Sequence, residues 1–422
     1  MNKPRTVNLN EEMQEQLPAD LLDFIKQAGE AAQKRQQRLY LVGGVVRDLL
    51  LERRIVDLDI VVEGDTIKLA REMARRYKAK ITVHTRFSTA NLLWGKRGVD
   101  FTTARAETYE KPGALPTVKP GTITDDLARR DFSVNAMAIE LNPPHFGELI
   151  DPHGGRRDLK RQAIRVLHDD SFIDDATRIW RAVRYEQRLG FRIIQATVRL
   201  LKRDIDYLST VSGDRIRHEL ELVLEEEEPE NAIKRAGKLG VLNRLHPSLK
   251  GDDWLAETFV LARERCIPDE PHPHLYLALL AYRLTATETE QLIKYLRLTK
   301  ATAQLLRETS AINEKTKELS APGLAPSSVY NLLHGYGLMA LTANSLGSAS
   351  PTAAEHIDLY LNVLRHINPA LSGDDLIKLG VPQGPKIKVV LQTLRAARLD
   401  GRIDSKEEEV EMVRGWVKRP PR

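Results

Sequence analysis

The sequence lacks most of the features that would narrow a function early. One cysteine, Cys266, stands in 422 residues, which excludes an intrachain disulfide and a cysteine-rich zinc site. No uninterrupted apolar run approaches the roughly 18 residues of a membrane span. The opening stretch MNKPRTVNLNEEMQEQ has no apolar signal core, so a cytoplasmic protein is expected. No internal repeat is visible, which removes solenoids and propellers. Histidines carry little. His272 and His274 in PHPH have no carboxylate at metal spacing and read as loop residues, and His84, His153, His168 and His246 show no role. No His–Asp arrangement suggests an added phosphohydrolase.

What remains is an ordinary globular balance, 42% hydrophobic and 29% charged, at a length that suits about three domains. Lys plus Arg number 64 against 59 Asp plus Glu, a net charge of +5. That excess is compatible with a polyanionic partner without demanding one.

The pattern along the chain changes twice. Residues 10–37 read as helical, with Pro18 in the first turn of a second segment. From Leu39 onward strands and helices mix. RLYLV, IVDLDIVV, KITVHTRF, TANLLWG and GVDFTTA read as strands, and VVRDLLL and TIKLAREMARRY as helices. Residues 105–123, rich in Pro and Gly, predict a long surface loop. NAMAI predicts a short helix, GELID a strand and DPHGGRRDL a turn-rich connector. After about Ile164 the strand signal fades and helical spacing takes over. EEEE at 225–228 predicts a solvated helix end before Pro229, and GVPQGPKIKVVLQ a plain helix start.

The chemistry concentrates in LVGGVVRDLLLERRIVDLDIVVEGD, residues 41–65. In a strand, residues two apart face one side, so Asp57 and Asp59 would project together. Two adjacent carboxylates repel unless they share a proton or hold a cation. Hard oxygen ligands suit Mg²⁺, which also recruits phosphate oxygens from a substrate. A bare D-x-D pair also arises by chance, capping a turn. Gly43 and Gly44 follow a strand and precede a short helix, a geometry in which backbone N–H groups approach a phosphate. The segment matches neither G-x-x-x-x-G-K-[ST] nor G-x-G-x-x-G, which excludes a P-loop and a dinucleotide fingerprint. Asp100, in GVDFTT, is either a third carboxylate brought in by an adjacent strand or a sheet-edge residue.

Four stretches in order complete the pattern: GGVVRDLLLERRIVDLD, RRDFSVNAMAIEL at 129–141, DPHGGRRDL, and DDATRIWRAVRYEQRLGF at 174–191. Together they resemble the signatures of the class II tRNA nucleotidyltransferase and bacterial poly(A) polymerase family, within the DNA polymerase beta-like nucleotidyltransferases. They cover roughly residues 38–195.

The resemblance implies an α+β chain: a small mixed-sheet head followed by an all-helical neck, body and tail. It sets an N-terminal helical segment at 1–37, the head at 38–163, the neck at 164–240, and a tRNA-binding body and tail at 241–422. It implies Asp57 and Asp59 as the Mg²⁺-binding catalytic pair, and Asp100, from its own strand position, is taken as a further catalytic candidate. Gly43, Gly44 and Arg47 would contact the incoming nucleotide, and Arg130 and Asp131 its ribose and triphosphate. Asp175, Arg178, Arg181 and Arg184 would fall on the helix that selects the base.

Spacing alone makes positions 175, 178 and 181 helical neighbours. Carboxylate and guanidinium together could read a base edge, or form a surface salt bridge. The sequence departs from the family at Asp174, where Glu is usual, and at Trp180, where an aliphatic residue is usual. The activity implied is addition of C, A or both to the tRNA 3′ end from CTP and ATP, with pyrophosphate released. Addition of A alone or of CC alone, poly(A) synthesis, and an inactive RNA-binding homologue stay open. The implied partners are tRNA and CTP or ATP, with no DNA and no membrane.

Overall fold

A computed structural model of the chain describes residues 7–55, 57–85, 88–95, 97–108, 110–111, 113–114 and 116–418. The chain forms two compact units, Met1–Glu219 and Leu220–Arg422.

The first unit begins with helices α1 (Asn10–Gln16) and α2 (Ala19–Lys34), with Pro18 just before α2 as its N-cap rather than inside its first turn. There follow β1 (Arg38–Val42), α3 (Gly44–Leu50), β2 (Leu58–Glu63), α4 (Thr66–Tyr77), β3 (Lys80–His84), β4 (Thr89–Trp94) and β5 (Arg97–Thr103). Arg86 and Phe87, at the end of KITVHTRF, lie outside the described residues. Next come β6 (Arg105–Thr108), β7 (Thr117–Pro120), α5 (Ile123–Ala128), β8 (Ala138–Glu140), β9 (Leu149–Ile150) and α6 (Gly155–Lys160). The unit closes with β10 (Ala163–Ile164), α7 (Ser171–Asp174), α8 (Thr177–Leu189), β11 (Arg192–Ile193), α9 (Gln195–Asp204) and the start of α10 (Gly213–Leu224).

Seven strands make one mixed sheet in the order β3-β4-β5-β2-β1-β8-β9. β2 and β5 run parallel, while β1 pairs antiparallel with both β2 and β8. The central strands are apolar on both faces because both are covered. Tyr40, Val42 and Val61 pack with Ile123 and Leu127 of α5. On α2, Phe24 meets Tyr77, Trp94 and Phe101 at ring-centroid distances of 4.8, 5.7 and 6.4 Å. The mixed sheet and the helical remainder agree with the expected α+β class.

Two local expectations are corrected. The Pro- and Gly-rich stretch 105–123 is largely a hairpin: β6 and β7 pair antiparallel from Arg105↔Pro120 to Thr108↔Thr117. Residues 109, 112 and 115 lie outside the described residues. NAMAI is not a helix. Its first residue ends a 3₁₀ turn, Ser133–Asn135, and Ala138 and Ile139 join β8. Pairing against β1 overrides the helical preference of Ala and Met.

In the second unit no strand occurs among the described residues. One core gathers Ile312, Val329, Leu333, Leu341 and Ile357, and a second gathers Leu376, Val390, Leu394 and Val413. The helix Pro385–Leu399 starts directly after Gly384. No helix among the described residues is long and apolar enough to cross a membrane.

Candidate active site

The sheet places the carboxylates. β2 begins at Leu58, so Asp57 stands just before the strand rather than in it. Its Oδ1 accepts from the Gly98 N–H at 3.0 Å, at the start of β5. Asp59 lies in register with Asp100 of β5, and Asp100 with Asn91 of β4. Neighbours in register share a sheet face, so Asn91, Asp100 and Asp59 form a row. Asn91 Nδ2 donates to Asp100 Oδ1 at 2.5 Å. Asp100 is thus the third carboxylate beside the pair.

All three aspartates are exposed. Asp59 nevertheless is partly desolvated by the surrounding protein, and this raises its carboxyl above the ordinary value. Arg130 opposes the rise, and Asp100 and Asp57 add to it. Asp59 has no hydrogen bond or ion pair to a described residue, Asp57 spends one oxygen on a backbone N–H and Asp100 one on an amide. The remaining donors are hard, open oxygens, the chemistry that suits Mg²⁺. No three described His, Cys, Asp or Glu side chains form a metal cage by themselves. Mg²⁺ commonly needs only one or two carboxylates, completed by water and substrate phosphates.

Next to this row opens a cleft of about 810 Å³. Its described lining includes eight arginines, six carboxylates and no lysine. The positive excess suits a polyanion, and planar guanidinium forks suit phosphate oxygens better than point charges do. Gly43, at φ +70°, makes the turn from β1 into α3. A Cβ there would lie 2.6 Å from Arg130 Nη1, so the glycine lets Arg130 cross the turn.

Arg47, one turn into α3, is buried and held on three sides. Nε and Nη2 bind Asp48, each at 2.8 Å, and Nη1 binds Asn135 Oδ1 at 2.8 Å. Arg130 is braced by Asp126 at 2.9 Å, and Arg129 binds both Asp126 and Glu107 of the hairpin.

Asp131 is buried and accepts four hydrogen bonds. Arg181 gives two, at 2.9 and 2.6 Å, the Phe132 N–H one at 2.8 Å and Asn135 Nδ2 one at 3.1 Å. Burial alone would raise its carboxyl, but Arg181 and these donors outweigh it and hold it below the ordinary carboxylate value. The same partnership raises Arg181 against its own desolvation.

The segment 174–191 differs from the expected single helix face. α8 begins at Thr177, and Asp175 precedes it in extended backbone. Asp175 Oδ1 accepts from the Thr177 N–H and hydroxyl at 3.0 and 2.7 Å, and Oδ2 pairs with Arg215 at 2.8 Å. A side chain able to bond the backbone two residues on favours a turn over a helix. Asp175 and Arg178 still line one cleft. Arg178 donates to Ser171 and to the Arg129 carbonyl, at 2.8 and 2.7 Å, so the alternative of a 175–178 surface salt bridge is not the arrangement formed.

Of the residues chosen from sequence, Gly43, Gly44, Arg47, Asp59, Arg130, Asp131, Asp175, Arg178 and Arg181 line the cleft. Asp57 and Asp100 stand on the strands beside it. Arg184 is not in the lining. It is buried and faces Glu219 at 3.9 Å. Trp180 is a fully buried core residue. None of the histidines singled out above is in the described cleft lining, and His246 binds Gln291 at 2.9 Å.

Several lining residues escaped the sequence. Arg129, Asn135, Tyr185, Arg215, His218 and Glu219 all face the cleft. Tyr185 was within reach: Arg178, Arg181, Tyr185 and Arg188 repeat at three and four on α8, a single stripe. The guanidinium carbons of Arg47, Arg181 and Arg184 lie 5.5, 5.7 and 5.5 Å from its ring centroid.

Known proteins resemble this chain in sequence and fold. Residues 39–165 match the family model described as the poly A polymerase head domain, and residues 190–252 the one described as a probable RNA and SrmB-binding site of polymerase A. The chain is 34% identical over 432 residues to an A-adding tRNA nucleotidyltransferase of Geobacter sulfurreducens, covering 95% of this chain and 48% of that protein. It is 33% identical to an A-adding tRNA nucleotidyltransferase of Halalkalibacterium halodurans, covering 96% of this chain and 95% of the relative. It is 31% identical to a CC-adding tRNA nucleotidyltransferase of Deinococcus radiodurans, covering 97% and 96%. The chain thus spans about half the length of the Geobacter relative and nearly all of the other two.

A solved CCA-adding enzyme in an apo form superposes with a TM-score of 0.85 at 33% identity, over 97% of this chain and 99% of that one. The Thermotoga maritima CCA-adding enzyme complexed with tRNA_CCA gives 0.79 at 32% identity, over 97% and 99%. Likeness of this extent, over nearly the full length of two relatives and carrying the same head, has one meaning: the chain belongs to the tRNA nucleotidyltransferase family that shares its head with the poly(A) polymerases.

Proposed function

We propose that the chain adds C, A or both to the 3′ end of tRNA, without a template, from CTP or ATP, releasing pyrophosphate. One observation carries the reading: an open aspartate row borders a cleft whose described lining is rich in arginine, the two halves that nucleotidyl transfer needs. The terminal hydroxyl oxygen of the RNA attacks the α-phosphorus, and the bond to the β-phosphate breaks. Asp57 and Asp59 would hold Mg²⁺, which when bound lowers the hydroxyl's proton affinity and balances charge at phosphorus. Arg47 and Arg130 would receive the triphosphate, already aimed by Asp48, Asn135 and Asp126, so little ordering is left for the moment of reaction. Asp175, Arg178 and Arg181 would face the base with donors and acceptors fixed by their own partners.

In this reading residues 38–163 form the catalytic head, 164–240 the neck with the selecting segment, and 241–422 a body and tail that grip tRNA phosphates. Such contacts give affinity without sequence choice. A lone cysteine and a tRNA substrate fit a cytoplasmic setting.

A narrower reading, addition of A alone, is favoured by the names of the Geobacter and Halalkalibacterium relatives, while the Deinococcus relative adds CC. The test supplies labelled CTP or ATP with tRNA lacking CCA, and separately with tRNA ending in CC. Growth of both substrates means full CCA addition, and extension of the second by ATP alone means A addition. A long ladder means poly(A) synthesis, and absence of product from every substrate refutes the proposal. Asp57→Ala and Asp59→Ala should each abolish incorporation and leave tRNA binding largely intact. Normal incorporation by either would sink the metal assignment.

A further inference from the structure

We infer that Asn135 is a positioning residue that ties the phosphate end of the cleft to its base end through a single carboxamide. The inference rests on the nucleotidyl-transfer reading above. Asn135 is buried at the end of the 3₁₀ turn Ser133–Asn135. Its Oδ1 accepts from Arg47 Nη1 at 2.8 Å, and its Nδ2 donates to Asp131 Oδ1 at 3.1 Å. The far oxygen of Asp131 holds Arg181 through two bonds.

Both ends of the amide have only one workable partner chemistry. A guanidinium can only donate, and an ionised carboxylate can only accept. The residue between them must therefore accept on one side and donate on the other. An aspartate there would set a second carboxylate against Asp131, and an aliphatic residue would satisfy neither. Arg47 is already locked on Asp48 through Nε and Nη2, so Nη1 is the atom that Asn135 controls. Both arginines also lean on one ring, Tyr185, with guanidinium carbons 5.5 and 5.7 Å from its centroid. A movement of Arg47 on meeting a phosphate therefore reaches Arg181 by a short, fully bonded route. Phosphate binding and base choice are coupled.

Asn135→Asp tests this in the full-length protein. It keeps the acceptor for Arg47, and at Asp131 it replaces the donor with a second carboxylate, so it breaks the link at Asp131 and keeps it at Arg47. kcat and KM are measured for the accepted nucleotide and for each rejected one. The expected result is a loss of discrimination of about 5- to 150-fold, the usual span of a coupling between sites, with inhibition by pyrophosphate near wild type. An equal loss for every nucleotide, leaving discrimination unchanged, would mark Asn135 as merely structural and overturn the inference.

Should Asn135→Asp fail to fold, Asn135→Ser is read by the same ratio. An activity-free measurement separates this inference from the functional reading: the Arg181 Nε–H resonance under added pyrophosphate. It should shift in the wild type and stay in the variant. Identical responses overturn the coupling even if the protein incorporates nucleotide. A wild type that incorporates nothing overturns the functional reading and leaves the resonance to decide the coupling.

Discussion

Asp131→Asn changes one atom in the most heavily bonded carboxylate of the cleft. The native side chain accepts two hydrogen bonds from Arg181, one from the Phe132 N–H and one from Asn135. An amide of the same shape has one oxygen and one NH₂. Whichever way it turns, the NH₂ meets donors: either the Arg181 fork, or the Phe132 N–H and the Asn135 amide. The carboxylate that Arg181 keeps is Glu219, at 3.6 Å. Removing one partner of a buried pair costs about 3–5 kcal/mol. The Arg181 side chain keeps 31% exposure, so water relieves part of the loss and about 3 kcal/mol is expected.

The assay is hydrogen exchange through a urea series, read by mass spectrometry on peptides covering β1 and β2, which reports the first unit alone. The pH dependence gives a second check. A carboxyl held below its unfolded value contributes stability that is complete above that value and lost as pH falls through the folded one. Burial acts against this direction, but Arg181 and the donors prevail, and the unfolded value is 3.8. The difference between wild type and variant should therefore be full at neutral pH and shrink below about pH 3.8. A difference under about 1 kcal/mol at pH 7, or one that grows in acid, would refute the account, since an ordinary exposed pair contributes no more than that.

Tyr185→Leu removes the ring shared by Arg47, Arg181 and Arg184. Each contact is worth about 0.5–2 kcal/mol, so KM for nucleotide should rise severalfold, and an unchanged KM would count against the ring. Gly29→Ala places a Cβ 2.0 Å from the Leu141 carbonyl oxygen. Because that neighbour is backbone, α2 must move, and a loss of about 1–3 kcal/mol in thermal unfolding is expected. An unshifted melting temperature would contradict this close approach. In the second unit, Glu409 is fully buried, accepts from the Ala370 and Leu371 N–H groups at 2.9 and 2.8 Å, and pairs with Arg398. Glu409→Gln should cost about 3–5 kcal/mol, visible as early exchange of residues 370–371, with slow exchange there as the contrary result.

Much of the head was legible because its signals are local. Apolar runs marked β1 to β5, and Asp65 before TIKLAREMARRY caps α4 by accepting from the Lys68 N–H. The spacing of Asp57 and Asp59 was visible in the sequence, but the place of Asp100 beside Asp59 was left open there, because it depends on β2 pairing in parallel with β5. The hairpin at 105–120 was hidden because β7 is exposed along its whole length, so no alternation of apolar and polar residues announces it. Asp175 was misplaced onto a helix because spacing cannot reveal that its side chain binds the Thr177 N–H. Asn135, Arg215 and Glu219 gain their meaning from partners 4 to 88 positions away. The pairings of Asn135 with Arg47, Arg215 with Asp175 and Glu219 with Arg181 are products of the tertiary fold, and no short window of sequence contains them.

The absence of lysine from the described cleft lining has a consequence for chemistry done on the protein. Guanidinium stays protonated at any pH the fold survives, so the positive groups of the cleft keep their charge at every working pH. Reagents that acylate amines would label the outer surface and pass over this cavity. A dicarbonyl that condenses with guanidinium would enter it, and bound nucleotide should shield it. Two inexpensive reagents thus give opposite footprints of the same pocket.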